Sequence, residues 1–583
     1  MVLETINGPA DVKALQPAQL QTLADEVREA LIGRLSRTGG HVGSNLGVVE
    51  LTVALHRVFS SPQDKIVWDV SHQCYAHKIL TGRKAAYLDP AHFHDVTGFT
   101  NPRESEHDCF KVGHTATSVS LALGLAKGRD AAGGTENIIA VIGDGALGGG
   151  EAYEGLNTAG AYRKNLIIIL NDNDQSVAEN HGGLYACLKA LRATGGNSEN
   201  NFFRVLGLDY RYLDDGHDVL RLVALLESVR DIDHPIVLHI RTIKGKGLPY
   251  AETDRENWHS AGPFHVADGS PKNGPPKYDT TVHDSLTALL ERDKTAVVLT
   301  AGTPRALGFV GEDRAAWERT GRFVDVGIAE ENAMAMASGI ARYGGTAVFG
   351  VYAPFLQRAY DQLSHDLCLN NNPATVLVLL PGAFGMKSDT HLGLCDIPML
   401  THVPNLVYLA PETREEYLEM FRYATTQKQH PTAIRVPVRF YSRENKDETT
   451  FLPGRAKVLR KGSGTALIAV GALLPMALDA ADAFEKETGR PLTVINPCFL
   501  SGVDEVLLNA LKKDHRLVVT MEDGEIDGGY GQRVASFYGS SGLRVINLGI
   551  SKAFHSDFRA DALLEAHGMS VQKIIHLIQT QEG

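Results

Sequence analysis

The stretch from Asn137 to Gln175 constrains this chain more than any other. It reads NIIAVIGDGALGGGEAYEGLNTAGAYRKNLIIILNDNDQ. An apolar, β-rich run closes on Gly143-Asp144-Gly145, a helix-compatible middle carries Glu151, Tyr153 and Leu156, and a second β-rich run, Leu166 to Leu170, closes on Asn171-Asp172-Asn173. This is a βαβ unit. Parallel strands joined by a right-handed crossover end on the same edge of their sheet, so the spacing predicts that Asp144 and Asn173 converge where open α/β sheets bind ligands. A carboxylate, an amide oxygen and a nearby backbone carbonyl are hard donors. They suit a small divalent cation that keeps a water and takes its remaining ligands from phosphate. A lone GDG would be an ordinary strand-end turn that satisfies its own backbone. GDG followed by NDN, each closing an apolar strand, arises far less readily by chance.

The two turns together resemble the diphosphate-binding signature of thiamine diphosphate (ThDP) enzymes. That resemblance implies that Asp144 and the Asn173 side chain hold Mg²⁺, with the backbone carbonyl of Gln175 as third protein ligand.

At 583 residues the chain is long enough for about three or four domains, each with its own core. A net charge of −12 with no basic stripe argues against nucleic acid or an anionic membrane as the main partner, so local positive sites must take any phosphate substrate. The cysteines at 74, 109, 187, 368, 395 and 498 form no CxxC pair, which fits a reducing compartment. The opening MVLETINGPADVKAL lacks the segments of a signal peptide, and no apolar run reaches the ~18 residues of a membrane span, so the expected location is cytoplasmic.

Ahead of the βαβ unit, a helical pattern at 20–34 leads into SRTGGHVGSNLG, a Gly-rich loop with His41, and the strand KIVWDV ends in Ser71-His72-Gln73. The segment FKVGHTAT enters a small-residue helix whose N-terminus could present free N–H groups to a diphosphate, could be a capped buried end, or could be both. Residues 176–200 are polar and Gly-rich and read as a mobile loop. A later strand runs into Lys244-Gly245-Lys246-Gly247, where amide and ammonium groups could reach phosphate. The stretch Ala261 to Pro276 is the best linker candidate. Strand and helix patterns then alternate in two further α/β regions, beginning near Tyr278 and near 451–465. In the first of these, Glu330-Glu331-Asn332 opens a small-residue helix, a place where an acid is usually only dipole-compatible.

In one order the chain presents SRTGGH, WDVSHQ, HKILTGR, GHTATS, GDG, NDN, DGHD, KGKG, DVGIAEEN, FLQRAYDQ, THLG and AIRVP. This set resembles the 1-deoxy-D-xylulose-5-phosphate synthase family, ThDP enzymes related to transketolase, over nearly the whole chain. The resemblance implies three transketolase-like α/β domains with mostly parallel sheets: a diphosphate and Mg²⁺ domain at 1–270, a pyrimidine-binding domain at 277–445 and a transketolase-type C-terminal domain at 452–583. It also implies a homodimer, with the cofactor between the first two domains. The implied reaction joins pyruvate to D-glyceraldehyde 3-phosphate, with loss of CO₂, to give 1-deoxy-D-xylulose 5-phosphate, a precursor of isoprenoids, thiamine and pyridoxal.

By the same resemblance Glu330 is the catalytic carboxylate. Hydrogen-bonded to N1′ of the aminopyrimidine, it favours the tautomer that removes the thiazolium C2 proton. His41, His72 and His391 are implied at the reacting centre. His72, Gly113, His114, Thr115, Gly145, Ala146, Lys244, Leu248 and Phe355 join Asp144, Asn173 and Glu330 around the cofactor. His41, Tyr352, Arg358, Lys387, His391 and Arg435 are implied around the substrates, where guanidinium groups suit a phosphate.

The chain also departs from the family pattern. Leu379-Leu380-Pro381-Gly382 replace an Asp-Arg-Ala-Gly segment, Lys387 replaces an acid four residues before His391, Leu248 replaces an aromatic, Gln175 replaces a Met, and the 176–200 segment is short. Two other readings follow: a ThDP enzyme of transketolase type with a different donor or aldehyde acceptor, and a ThDP-binding subunit without catalysis.

Overall fold

The structure is a computed structural model that describes residues 1–274, 279–442, 451–556 and 558–582. The domain start expected at 277, or near Tyr278, and the domain end expected at 445 lie outside the described residues. Contacts divide the chain into two compact units, Met1–Lys277 with Gly327–Ala329 and Tyr278–Val326 with Glu330–Gly583.

The first unit is built on a five-stranded parallel sheet: β1 (Lys65–Trp68), β2 (Ile138–Gly143), β3 (Leu166–Asp172), β4 (Asp209–Leu213) and β5 (Pro235–Arg241), in the order β1-β2-β3-β5-β4. The central strands read IIAVIG and LIIILND and are buried along their length, as a sheet covered by helices on both faces requires. Ile139 pairs with Ile167 and Gly143 with Asn171, a register that puts the GDG and NDN turns side by side. The helix Gly150–Gly160 makes the crossover, as the periodicity predicted.

Two sequence expectations for this unit are corrected. Residues 176–200 contain a helix, Gly183–Ala193. Leu188 and Leu191, spaced to share one face, are buried in the core, and this apolar stripe outweighs the flanking Gly and Asn that suggested a loop. The stretch from Ala261 is not a free linker either. Ala261 bridges to Gly40 and Phe264 is buried against Trp258, because a large aromatic gains more from a core than from solvent.

The second unit holds two sheets. One is six-stranded and parallel, with β6 (Ala296–Thr300), β7 (Phe323–Asp325), β8 (Thr346–Tyr352), β9 (Thr375–Leu379), β10 (Val407–Leu409) and β11 (Thr432–Arg435) in the order β10-β11-β9-β8-β6-β7. The other has β12 (Lys457–Arg460), β13 (Gly464–Ala469), β14 (Thr493–Asn496), β15 (His515–Glu525) and β16 (Arg544–Ile550) in the order β12-β14-β13-β15-β16. Its edge strand β12 runs antiparallel to β14, so this sheet is mixed. The sequence runs TAVFGVY, ATVLVLL and TALIAVG read as strands; the first forms whole, and the other two form strands at Thr375–Leu379 and Gly464–Ala469, while the helix opened by Glu330 runs to Tyr343. No helix among the described residues is long and apolar enough to cross a membrane.

Candidate functional site

In the first unit Asp144 begins a short helix directly after β2 and is buried. Its carboxylate accepts from Gln175 N at 3.0 Å, Asn173 N at 3.4 Å and Asn180 Nδ2 at 2.6 Å. Burial, reinforced by the neighbouring Asp172 carboxylate, raises its pKa. Asn173 Oδ1 and Asn180 Oδ1 are buried beside it without a hydrogen-bond partner. A strained carboxylate next to amide oxygens that lack donors is an arrangement a divalent cation relieves, so these donors fit Mg²⁺. Gly145 must be glycine here, since a Cβ would lie 2.7 Å from the Ser176 side chain. The missing side chain leaves room for Ser176 to pack against the GDG turn. Ala146 is buried in the same short helix.

Lys244 is buried, donates to the carbonyl of Ser176 and lies 3.2 Å from His259 Nδ1. Burial pulls its pKa down to about 7. His41, His72 and His259 form a cluster with ring centroids 5.1 to 5.7 Å apart. Burial holds His259 neutral, well below the ordinary imidazole range. Asn45, itself buried, fixes the two loops that carry the other pair. Its Nδ2 donates to the carbonyls of His41 and His72, both at 2.7 Å, while its Oδ1 accepts from Tyr75 N. Nothing in the sequence singled out His259 or Asn45, because each stands outside any apolar period. The GPFH turn after His259 was the one available signal.

Gly113, His114 and Thr115 lie in the turn before the helix Ser118–Ala131. The helix start is capped, as one of its two readings had it: the Asp69 carboxylate takes Ala116 N and Ser118 N, each at 2.9 Å. Leu248 is buried in the apolar core of the first unit.

In the second unit Glu330 opens its helix with a buried carboxyl whose Oε2 has no hydrogen-bond partner. A helix N-terminus favours a carboxylate by roughly 0.3–1 kcal/mol. Burial wins and pushes this one up to about 7, with the Arg358 guanidinium pulling the other way. Tyr352, Phe355 and His391 follow one another, with ring centroids at 5.7 and 5.5 Å. His391 Nδ1 lies 2.8 Å from Thr390 Oγ1, and burial lowers its pKa to about 4, so it is neutral at physiological pH.

Two further expected substrate residues lie in this unit. Arg435 does not present a guanidinium to a phosphate. Its Nε is 2.7 Å from Asp396 and its Nη1 2.7 Å from Asp523, all three residues buried, so the fork is already satisfied by two carboxylates. Lys387 is exposed, and burial alone sets the His391 shift. A long lysine stem lets the ammonium stay in water.

Comparison with known proteins agrees with this architecture. Residues 275–443 match the pyrimidine-binding domain of transketolase and residues 454–574 its C-terminal domain, which makes the chain a transketolase-type α/β protein. Residues 3–199 match the model described as 1-deoxy-D-xylulose-5-phosphate synthase. Among curated relatives, 1-deoxy-D-xylulose-5-phosphate synthase 2 of Geobacter sulfurreducens is 38% identical over 99% of both chains. The 1-deoxy-D-xylulose-5-phosphate synthase of Carboxydothermus hydrogenoformans is 37% identical over 98% of both. The chain belongs to the 1-deoxy-D-xylulose-5-phosphate synthase family, and so to the ThDP-dependent transferases.

Proposed function

We propose that this chain condenses pyruvate with D-glyceraldehyde 3-phosphate, releasing CO₂ and forming 1-deoxy-D-xylulose 5-phosphate, with ThDP and Mg²⁺ as cofactors. The reading includes the three domains at 1–270, 277–445 and 452–583, a homodimer and a cytoplasmic location. Full-length similarity to synthases of that name supports it. The observation that carries it is the buried Glu330 carboxyl, with Oε2 unmet and a pKa near 7.

Bound ThDP supplies the electron sink for decarboxylating a 2-oxo acid and joining the remaining two carbons to an aldehyde. The residues of the chain bind, orient and move protons. Asp144, Asn173 and the Gln175 carbonyl would hold the metal, and Lys244 would offer its ammonium to the diphosphate. With ThDP bound, Glu330 Oε2 would hold and release the proton shared with the aminopyrimidine, for which a pKa near the working pH is the most useful value. Neutral His391 can donate from one ring nitrogen and accept at the other, and so can neutral His259 in the first unit.

The test is Glu330→Ala. It should bind ThDP with Mg²⁺ but lose most turnover and slow exchange of the ThDP C2 proton; exchange at the wild-type rate would assign this role elsewhere. A second reading, a different aldehyde acceptor, is favoured by the neutralised Arg435. A panel of phosphorylated and unphosphorylated aldehydes separates the two.

A further inference from the structure

The segment after β3 carries an amide that no motif marks. Asn180 Nδ2 donates to Asp144 Oδ2 at 2.6 Å, yet its Oδ1 is buried with no hydrogen-bond partner. Asn173 Oδ1 shares that condition beside the same carboxylate. A buried acceptor without a donor costs about 1–3 kcal/mol. Two of them around one carboxylate call for an electron-poor partner rather than for another hydrogen bond. The two ends of an Asn amide have nearly the same shape, and a half-turn about its last torsion exchanges oxygen for nitrogen. The side chain that now donates to Asp144 can therefore offer oxygen to an ion that Asp144 holds.

The backbone around Asn180 is held in place. Lys244 Nζ donates to the carbonyl of Ser176, and Tyr185 Oη to that of Gly145 at 3.4 Å. At the far end of the following helix, Arg192 pairs with Asp172 at 2.6 Å and with Asp174 at 2.7 Å. These ties pin both sides of the 176–182 segment to the GDG and NDN turns. Asn180 thus stands beside Asp144 because the fold puts it there.

We propose that Asn180 is a further oxygen donor of the divalent-cation site at Asp144, reaching the ion or a water bound to it. Mg²⁺ takes six oxygens and keeps some of its waters, so one more amide oxygen suits it. The proposal rests on the cofactor reading given above. It differs from a purely structural role, in which Asn180 N–H simply steadies the Asp144 carboxylate.

Asn180→Ala and Asn180→Asp separate the two roles. An aspartate keeps an oxygen and loses the N–H, while alanine loses both. The full chain is titrated with ThDP at fixed Mg²⁺ by calorimetry, and with Mn²⁺ followed by its electron paramagnetic resonance signal. Thermal melting in a chelator checks that each variant is folded. Residues that orient or supplement metal ligands are typically worth about 10–100-fold in affinity. Asn180→Ala should weaken metal-dependent ThDP binding by at least ~10-fold and Asn180→Asp by less than ~3-fold, with unchanged melting in chelator. Equal weakening of both variants would assign the N–H role and overturn the proposal, as would an alanine variant that binds like wild type. Failure of the wild-type chain to bind ThDP with Mg²⁺ would remove the cofactor reading itself.

Discussion

Replacing Glu330 by glutamine should stabilise the protein, and by more as pH rises. The carboxyl is buried, and its pKa moves from 4.5 to about 7. At ~1.4 kcal/mol per pH unit, keeping it charged in the folded chain costs about 3 kcal/mol. A carboxyl raised in this way contributes stability that is fully present below 4.5 and is lost as pH climbs through about 7. Glutamine fills the same space without ionising. The stability difference between Glu330→Gln and wild type should therefore grow by about 2.5 kcal/mol in favour of the variant from pH 5 to pH 8. The assay is urea unfolding of both proteins without cofactor at several pH values. Subtracting wild type from variant cancels every other titrating group. A difference that stays constant across this range would refute the burial argument, and with it the proton-exchanging role assigned to Oε2.

Asp144→Ala should abolish Mg²⁺-dependent ThDP binding in calorimetry, since a methyl cannot replace a charged oxygen; unchanged affinity would remove the metal assignment. Arg435→Met should destabilise the second unit by about 3–5 kcal/mol, because Asp396 and Asp523 are left buried without their cation. Its residual activity should fall equally with phosphorylated and unphosphorylated aldehydes, and a selective loss of the phosphorylated one would restore a phosphate-binding role. Lys387→Gln, at an exposed position, should change the ratio of kcat/KM values between acceptors by less than ~3-fold, and a larger change would bring the lysine back into the site.

The βαβ unit was legible because a parallel pair imposes both a pattern and a meeting point. Long buried β-branched runs end in turns, and the register Gly143 to Asn171 follows from them. Glu330 was visible as a position, but the burial that raises its pKa was not. That depends on groups far away in the chain. The Arg435 environment was hidden for the same reason, its partners being 39 and 88 residues away. The helix at 183–193 was missed because its Gly- and Asn-rich flanks masked an apolar stripe of only a few residues. His259 and Asn180 belong to loops and Asn45 to a one-turn helix, Val42–Leu46, too short for any periodicity to mark a residue, so only the fold decides what each faces.

The most direct test is to incubate the purified protein with ThDP, Mg²⁺, pyruvate and D-glyceraldehyde 3-phosphate while recording CO₂ and the sugar product. The account predicts one CO₂ for each 1-deoxy-D-xylulose 5-phosphate formed, with most of both products lost in Glu330→Ala. Absence of CO₂ from pyruvate, together with consumption of a ketose phosphate donor, would contradict it.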